Sequence, residues 1–296
     1  ETRQVIDSSQ TTVIVNTTLQ DMDDTQNYTV SIVNSDDVVL DDQDMLNGQI
    51  TINVSELSSG NNALTVVVTD SNGNSVSQPL DLLLVDSMPE LSTTSDSDGD
   101  GIVDAIETAN DTDGDRIPDY LDNITASNVL PTRPTINDEY LIEVDAGLLV
   151  RLGQISFANG QAQSLLLNSA IPNDDDYTNV GGLFEFEVVN IPVAGQVINV
   201  VIPQQQPIPD APVYRKYFGE ADAWRDFTVD ANNVIYSAPG VMDNSSNGTP
   251  GLCPSPESSL WEEGMIEGYW CIKLALEDGG DNDKDALANG SVIDPG

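Results

Sequence analysis

The sequence has no histidine, nine basic residues and two cysteines among 296 positions. Each shortage excludes something. Without His the chain lacks the usual general base, the usual zinc ligand and the usual pH switch, and a Ser or Cys triad built on His cannot be assembled. Nine Lys and Arg against fifty Asp and Glu leave a formal net charge of -41. That balance argues against nucleic acid and anionic membrane surfaces, both of which are gripped by Lys and Arg. No apolar run approaches the roughly 18 residues of a membrane-spanning helix, so no direct membrane insertion is expected. A Gly-x-Ser-x-Gly elbow, a phosphate loop and a dinucleotide fingerprint are all missing from the text. Fifty carboxylates offer many pairs for glycoside hydrolysis, but nothing marks one. The chain is not expected to be an enzyme.

What is present is enough to fold. Hydrophobic residues make up 39% of the chain and are mostly Val, Ile and Leu, so this is no disordered acidic tail. The length suits two ordinary domains. From Val13 to Val85 short β-rich runs alternate with turn residues: Val13–Val15, Tyr28–Val33, Ile50–Val54, Ala63–Thr69 and Pro79–Val85 carry the period of two of half-buried strands. Between the last two, Asn72-Gly73 supplies a tight turn. Residues 1–90 therefore read as a small antiparallel sandwich. Its opening, Arg3–Val15, is either an ordinary first strand or an arm that adds to the sheet edge of a neighbouring copy. A second β domain is expected over 125–296, its strands beginning at Tyr140 after a hinge at Pro131-Thr132-Arg133-Pro134. Its strand candidates are Tyr140–Asp145, Leu148–Leu152, Leu165–Leu167, Leu183–Val189, Val197–Ile202, Val213–Tyr217, Val234–Ser237 and Tyr269–Leu276. Its aromatics, among them Tyr214, Trp224, Phe227, Trp261 and Trp270, read as core anchors, with an exposed sugar-stacking platform as the alternative. Helix should be scarce outside Ile102–Ala109 and a turn or two near the Trp residues.

Between the two lies an acidic island, within residues 91–124. Asp96-Ser97-Asp98-Gly99-Asp100-Gly101-Ile102-Val103-Asp104-Ala105-Ile106-Glu107 matches the calcium-loop template, with carboxylates at positions 1, 3, 5, 9 and 12 and glycine at 6. Ca²⁺ takes six to eight hard oxygen ligands. Asp96, Asp98, Asp100, Asp104 and Glu107 supply carboxylates, and Ile102 supplies the position-7 carbonyl. A second loop follows: Asp111, Asp113, Asp115, Asp119 and Asp122 at the same positions, with Ile117 at position 7. It departs twice, with Arg116 for the glycine and Asp122 for the longer Glu. All ten acidic residues between 96 and 122 fall on ligand positions; a solvated acidic linker would scatter them. A further acidic run, Asp278, Asp281, Asp283 and Asp285, lacks a position-12 carboxylate, and a solvated loop is the simpler reading there.

The repeated Asp-x-Asp-x-Asp-Gly-x-x-Asp, with Ile117-Pro118-Asp119-Tyr120-Leu121-Asp122-Asn123, resembles a thrombospondin type 3 repeat. That resemblance implies backbone wound around calcium ions and used outside cells as a stiff connector. Thr69-Asp70-Ser71-Asn72-Gly73-Asn74 resembles the last hairpin of bacterial immunoglobulin-like and cadherin-like modules. Val213-Tyr214-Arg215-Lys216-Tyr217, Trp224-Arg225-Asp226-Phe227, Tyr236-Ser237-Ala238-Pro239-Gly240 and the closing Leu276–Asp283 and Ala288–Gly296 resemble the choice-of-anchor U domain. This last resemblance implies a bacterial exported protein displayed on the envelope, with a sorting signal after Gly296. The expected architecture is all-β, two β-sandwich domains joined by a calcium-binding connector. The expected setting is secreted or cell-surface, with any leader removed ahead of Glu1-Thr2-Arg3-Gln4. The expected role is an adhesin, matrix component or filament subunit whose partners are calcium and other surface proteins or copies of itself. A secreted carbohydrate-binding or hydrolase-accessory protein is the alternative. An oxidising setting would also let Cys253 and Cys271 pair across the Pro-, Ser- and Gly-rich stretch between them, worth roughly 3 kcal/mol in the chain-entropy account.

Overall fold

The computed structural model describes residues 4–16, 28–34, 38–44, 49–88, 90–133, 139–219, 224–240 and 251–296. Arg3 and Pro134, at the ends of two segments read from the sequence, lie outside them. The described chain is almost wholly β. Helix among these residues is confined to α1 (Asp104–Glu107), α2 (Gln154–Ala158) and single 3-10 turns at Val54–Glu56 and Asp119–Leu121.

Among the described residues, seven strands form the N-terminal unit: β1 (Gln4–Asp7), β2 (Thr12–Asn16), β3 (Thr29–Asn34), β4 (Val39–Asp44), β5 (Gln49–Asn53), β6 (Gly60–Thr69) and β7 (Ser75–Val85). Five make one sheet in the order β1-β7-β6-β3-β4, and β2 pairs with β5. The alternation seen in the sequence turns one face of each sheet inward. Ile6, Val30, Ile32, Leu64, Val66, Leu82 and Leu84 from the large sheet meet Val13, Ile50 and Ile52 from the small one in a single core. The β6–β7 hairpin closes at Gly73, whose φ of +87° is the left-handed region that only glycine enters freely. Asp70 Oδ1 braces this turn by accepting from the amides of Asn72 and Asn74. Pro79 sits within β7, which a central strand would not tolerate. Its position explains this: β1 runs beside β7 only from Leu82 to Val85, so Pro79 lies where β7 is still an edge. The N-terminal stretch from Gln4 pairs inside its own sandwich, β1 parallel to β7 and β2 antiparallel to β5, rather than standing free as a donor arm.

The C-terminal unit contains β8 (Val129–Pro131), β9 (Leu141–Val144), β10 (Leu149–Leu152), β11 (Glu185–Val189), β12 (Val197–Pro203), β13 (Arg215–Tyr217), β14 (Trp224–Asp226), β15 (Val234–Ala238), β16 (Glu262–Glu263), β17 (Cys271–Glu277) and β18 (Val292–Pro295). A six-stranded sheet runs β16-β15-β17-β12-β9-β8, a three-stranded one runs β10-β11-β18, and β13 pairs with β14. Their inner faces share a core that includes Leu130, Val144, Val150, Phe186, Val200, Ile202, Leu274 and Val292. Two sequence expectations change here. Pro131 is no hinge: it ends β8, and Thr132 beside it is buried, its amide and hydroxyl both donating to Tyr140 O. Leu165–Leu167 forms no strand, only an isolated bridge from Leu165 to Phe184.

Cys253 and Cys271 are joined in a disulfide, with Cα atoms 5.7 Å apart. Cys271 is fully buried on β17, in the middle of the six-stranded sheet. The bridge therefore ties the segment from Gly251 to Trp270 onto a core strand. Replacing both cysteines by Ser is expected to lower unfolding free energy by roughly 2–4 kcal/mol in urea titrations, because the loop is no longer closed in the unfolded chain. A difference under about half a kcal/mol would mean the segment is held by packing alone.

Candidate metal centre

The two acidic loops fold by one hydrogen-bond scheme, repeated fifteen residues on. In the first, Asp96 Oδ1 accepts from Gly99 N at 2.7 Å and Oδ2 from Gly101 N at 3.0 Å. In the second, Asp111 Oδ1 accepts from Gly114 N at 2.8 Å and Oδ2 from Arg116 N at 3.0 Å. Asp98 and Asp113 each accept from the amide two residues on, and so do Asp100 and Asp115. Asp104 accepts from the amide and hydroxyl of Ser97, and Asp119 does the same for Thr112. Alternating aspartates each bend the next amide toward themselves, so the backbone coils and the carboxylates gather on its inner side. Gly99, Gly101 and Gly114 all carry positive φ, and so does Arg116, at +76°.

This coiling brings carboxylate oxygens of Asp96, Asp98 and Asp100 within 4.8 Å of one another, and those of Asp111, Asp113 and Asp115 likewise. Residues 104, 107, 119 and 122 are less uniform. Asp104 and Asp119 already accept from Ser97 and Thr112, which makes them loop braces as much as ligands. Glu107 and Asp122 lie close enough to feel the aspartates of the loops. The Ile102 side chain is exposed, whereas Ile117 is buried in the C-terminal core.

Four oxygens stand out because they are shielded from solvent and accept no hydrogen bond: Asp98 Oδ2, Glu107 Oε2, Asp113 Oδ2 and Asp115 Oδ2. All four belong to the two loops; the other carboxylate oxygens of this kind among the described residues are the two of Asp294. A buried carboxylate oxygen without a donor costs free energy, and native proteins avoid it. The electrostatics agree. Burial, then the charge of Asp98 and its neighbours, pushes Glu107 up to about 7. Burial followed by Asp113 raises Asp122 to about 8, and burial followed by Asp111 raises Asp113 to about 6. Asp115, fully buried, is pushed well above the carboxylate range by burial and by Asp122. Carboxylates so arranged hold their charge comfortably only with a cation among them. The donor set is all hard oxygen with no nitrogen or sulfur, which suits Ca²⁺.

The loops differ in setting. The first is largely exposed. The second is built into the C-terminal unit: Ile117 joins its core, and Asp115 O accepts from Leu152 N. Arg116 carries the rest. It is 2% exposed, and its guanidinium spans three elements. Nε donates to Asp81 Oδ2 on β7 at 2.6 Å, Nη1 donates to Leu152 O at 2.6 Å and lies 3.0 Å from Glu187 Oε2 on β11. Arg151 backs the same two acids, 2.9 Å from Glu187 and 3.6 Å from Asp81. The Arg116 guanidinium also lies over the Phe157 ring at 5.1 Å. Burial pushes Glu187 up, but Arg116 and Arg151 outweigh it and hold the carboxyl below its ordinary value. The non-glycine residue at position 6 is thus the bolt that joins the N-terminal sheet, the second loop and the C-terminal sheet. Asn61 Nδ2 on β6 adds a bond to Phe157 O across the same junction.

No family model and no curated protein matches the chain. One solved structure, from a study of the promiscuous specificity of carbohydrate-binding modules of the β-sandwich superfamily, aligns over 99% of this chain and 89% of that one, with 12% identity and a TM-score of 0.22. A likeness so slight carries no argument, and the site must be read from its own residues.

Among the described residues the later acidic run does not bring three carboxylates together as the two loops do. Asp278 accepts from the amides of Gly195, Asn289 and Gly290, and Asp283 from those of Gly279 and Ile293. Asp285 accepts from Leu287 N and Asn289 Nδ2. These carboxylates are spent on bracing the loop between β17 and β18, and Asp281 is exposed.

Proposed function

We propose that this chain is a secreted, non-enzymatic surface protein whose segment 96–122 holds two calcium ions and locks two β units into one rigid body. The observation that carries this reading is that four of the six solvent-shielded, partnerless carboxylate oxygens among the described residues gather in the two loops, the other two being those of Asp294. Asp96, Asp98, Asp100 and Glu107 would hold one ion, and Asp111, Asp113, Asp115 and Asp122 the other, with the Ile102 and Ile117 carbonyls at position 7. Bound calcium would supply positive charge to carboxylates that otherwise repel. Because the second loop is bolted to both units through Arg116, its occupancy would be felt by the whole molecule. Millimolar calcium outside cells suits all-oxygen sites of this kind, and an adhesin, matrix or filament role follows from a stiff, acidic, catalytically plain body.

The carbohydrate-binding alternative receives less support. A cavity of about 580 Å³ in the C-terminal unit is lined by Tyr177, Trp224, Arg215 and Gln204 among others. Yet Trp224 packs on Tyr217 with ring centroids 5.5 Å apart, and its Nε1 donates to Pro172 O. Phe227 is core, Tyr214 and Tyr269 pack against that core, and Lys273 stacks between Tyr236 and Trp261. The described aromatics make no exposed planar row.

Isothermal calorimetry on chelator-treated protein is expected to return two calcium ions per chain, and about one after either Asp98→Ala or Asp113→Ala. Fewer than one ion in the parent protein would end the proposal.

A further inference from the structure

Lys216 on β13 and Asp294 on β18 are both fully buried, each with 0% of its surface exposed. Their Nζ and Oδ2 atoms lie 2.9 Å apart. Asp294 Oδ1 has no hydrogen-bond partner among the described residues, and Oδ2 faces the Lys216 amine. On its other side Nζ donates to Asn282 O at 2.5 Å, which fixes the amine's position. The wall is aromatic: the Phe227 ring centroid is 5.9 Å from Nζ, and Tyr214 meets Phe227 edge-on at 5.9 Å.

A buried ion pair is stable only when its remaining polar atoms are satisfied. This one leaves an acid oxygen with no hydrogen-bond donor from the described residues. A reactive geometry accounts for the same facts. A desolvated lysine is a nucleophile, and the 2.9 Å contact of Nζ with Oδ2 sets the amine beside the carboxyl group whose carbon it would attack.

We propose that Lys216 and Asp294 join through an amide bond between Nζ and Cγ, a self-formed crosslink that staples the β13–β14 hairpin to the last strand. The step balances without an oxidant or cofactor. One ammonium proton crosses to the Asp294 carboxylate, leaving a neutral amine and a neutral acid, the pair a low dielectric favours. The Nζ lone pair adds to Cγ, a second nitrogen proton passes to the acid hydroxyl, and the C–O bond breaks to release water. The amide nitrogen keeps one proton. Burial raises the Asp294 carboxyl against the opposing pull of Lys216, which is the direction the proton transfer requires.

Intact mass spectrometry of the purified chain, denatured and with its disulfide reduced, should read one water lighter than the sequence. Protease digestion followed by fragmentation should find a branched peptide joining Lys216 to Asp294. Lys216→Arg, which keeps the cation but cannot condense, and Asp294→Ala should each restore full mass. An unshifted parent mass overturns the proposal. So does a water loss carried on a linear peptide, as cyclisation at an Asp-Gly step such as Asp98-Gly99 would produce. The parent protein alone decides between these results, whether or not the variants fold.

Discussion

Chelating calcium is expected to make residues 96–122 the first point of protease attack while both β cores stay folded. Three carboxylates are gathered in each loop, and like charges about 4 Å apart repel by about 4 kcal/mol per pair at an effective dielectric of 20. Without a cation the coil that gathers them should loosen, and the exposed first loop should go before the second, which Ile117 and Arg116 anchor. Scattering in EDTA should show a larger, more flexible particle. An uncut connector and an unchanged shape would mean that something other than calcium holds it. The pH dependence in EDTA has a definite sign. Burial and neighbouring charge raise Asp113 to about 6, Glu107 to about 7 and Asp122 to about 8 in the folded chain, whereas in the unfolded chain they titrate near 4. Between those values the folded state holds more protons, so stability falls as pH rises. The melting temperature in EDTA should drop steadily from pH 5 to pH 8, and calcium should flatten or reverse that slope. A melting temperature that rises over this window without calcium would show that the ligands do not crowd as described.

Arg116→Ala is expected to be the most damaging single substitution outside the two apolar cores, at about 3–5 kcal/mol. It strands Asp81 and part of the charge of Glu187 in a buried junction, with Arg151 left at 3.6 Å from Asp81 as the remaining cation. Arg116→Gly separates the causes. Glycine relieves the backbone at φ +76° yet loses every guanidinium bond, so it should recover only a small part of the loss. Denaturant titration measures both, and the two β units should then unfold in separate transitions. A loss below about 1 kcal/mol in both variants would show that Arg116 is not what couples them.

Much of the site was open to reading because its signal is local. Ten acids on ten template positions put the candidate ligands in order along one stretch of chain, and the coil they form needs no distant partner. The strands with clean alternation were equally legible, as was the Asn72-Gly73 turn. Strands β1, β4, β8, β14, β16 and β18 were not. They are short, or polar along their length, and become strands only because a neighbouring strand offers its amides and carbonyls. The junction acids left a fainter trace: Asp81 stands in Leu80-Asp81-Leu82-Leu83-Leu84, and Glu187 in Phe184-Glu185-Phe186-Glu187-Val188. A charge inside an apolar strand needs a partner, but one-dimensional text does not name it.

Composition and spacing by themselves determined the all-β character, the exclusion of His-based chemistry and the two gathered carboxylate sets, since each depends on residues within a few positions of one another. Only the tertiary structure decided that Arg116 answers Asp81 and Glu187, that the last acidic run braces a loop, that the N-terminal strands pair at home, and that Lys216 faces Asp294. Those outcomes depend on which segments pack together after the chain has bent back on itself, and burial, which sets the energy of every charge involved, exists only then.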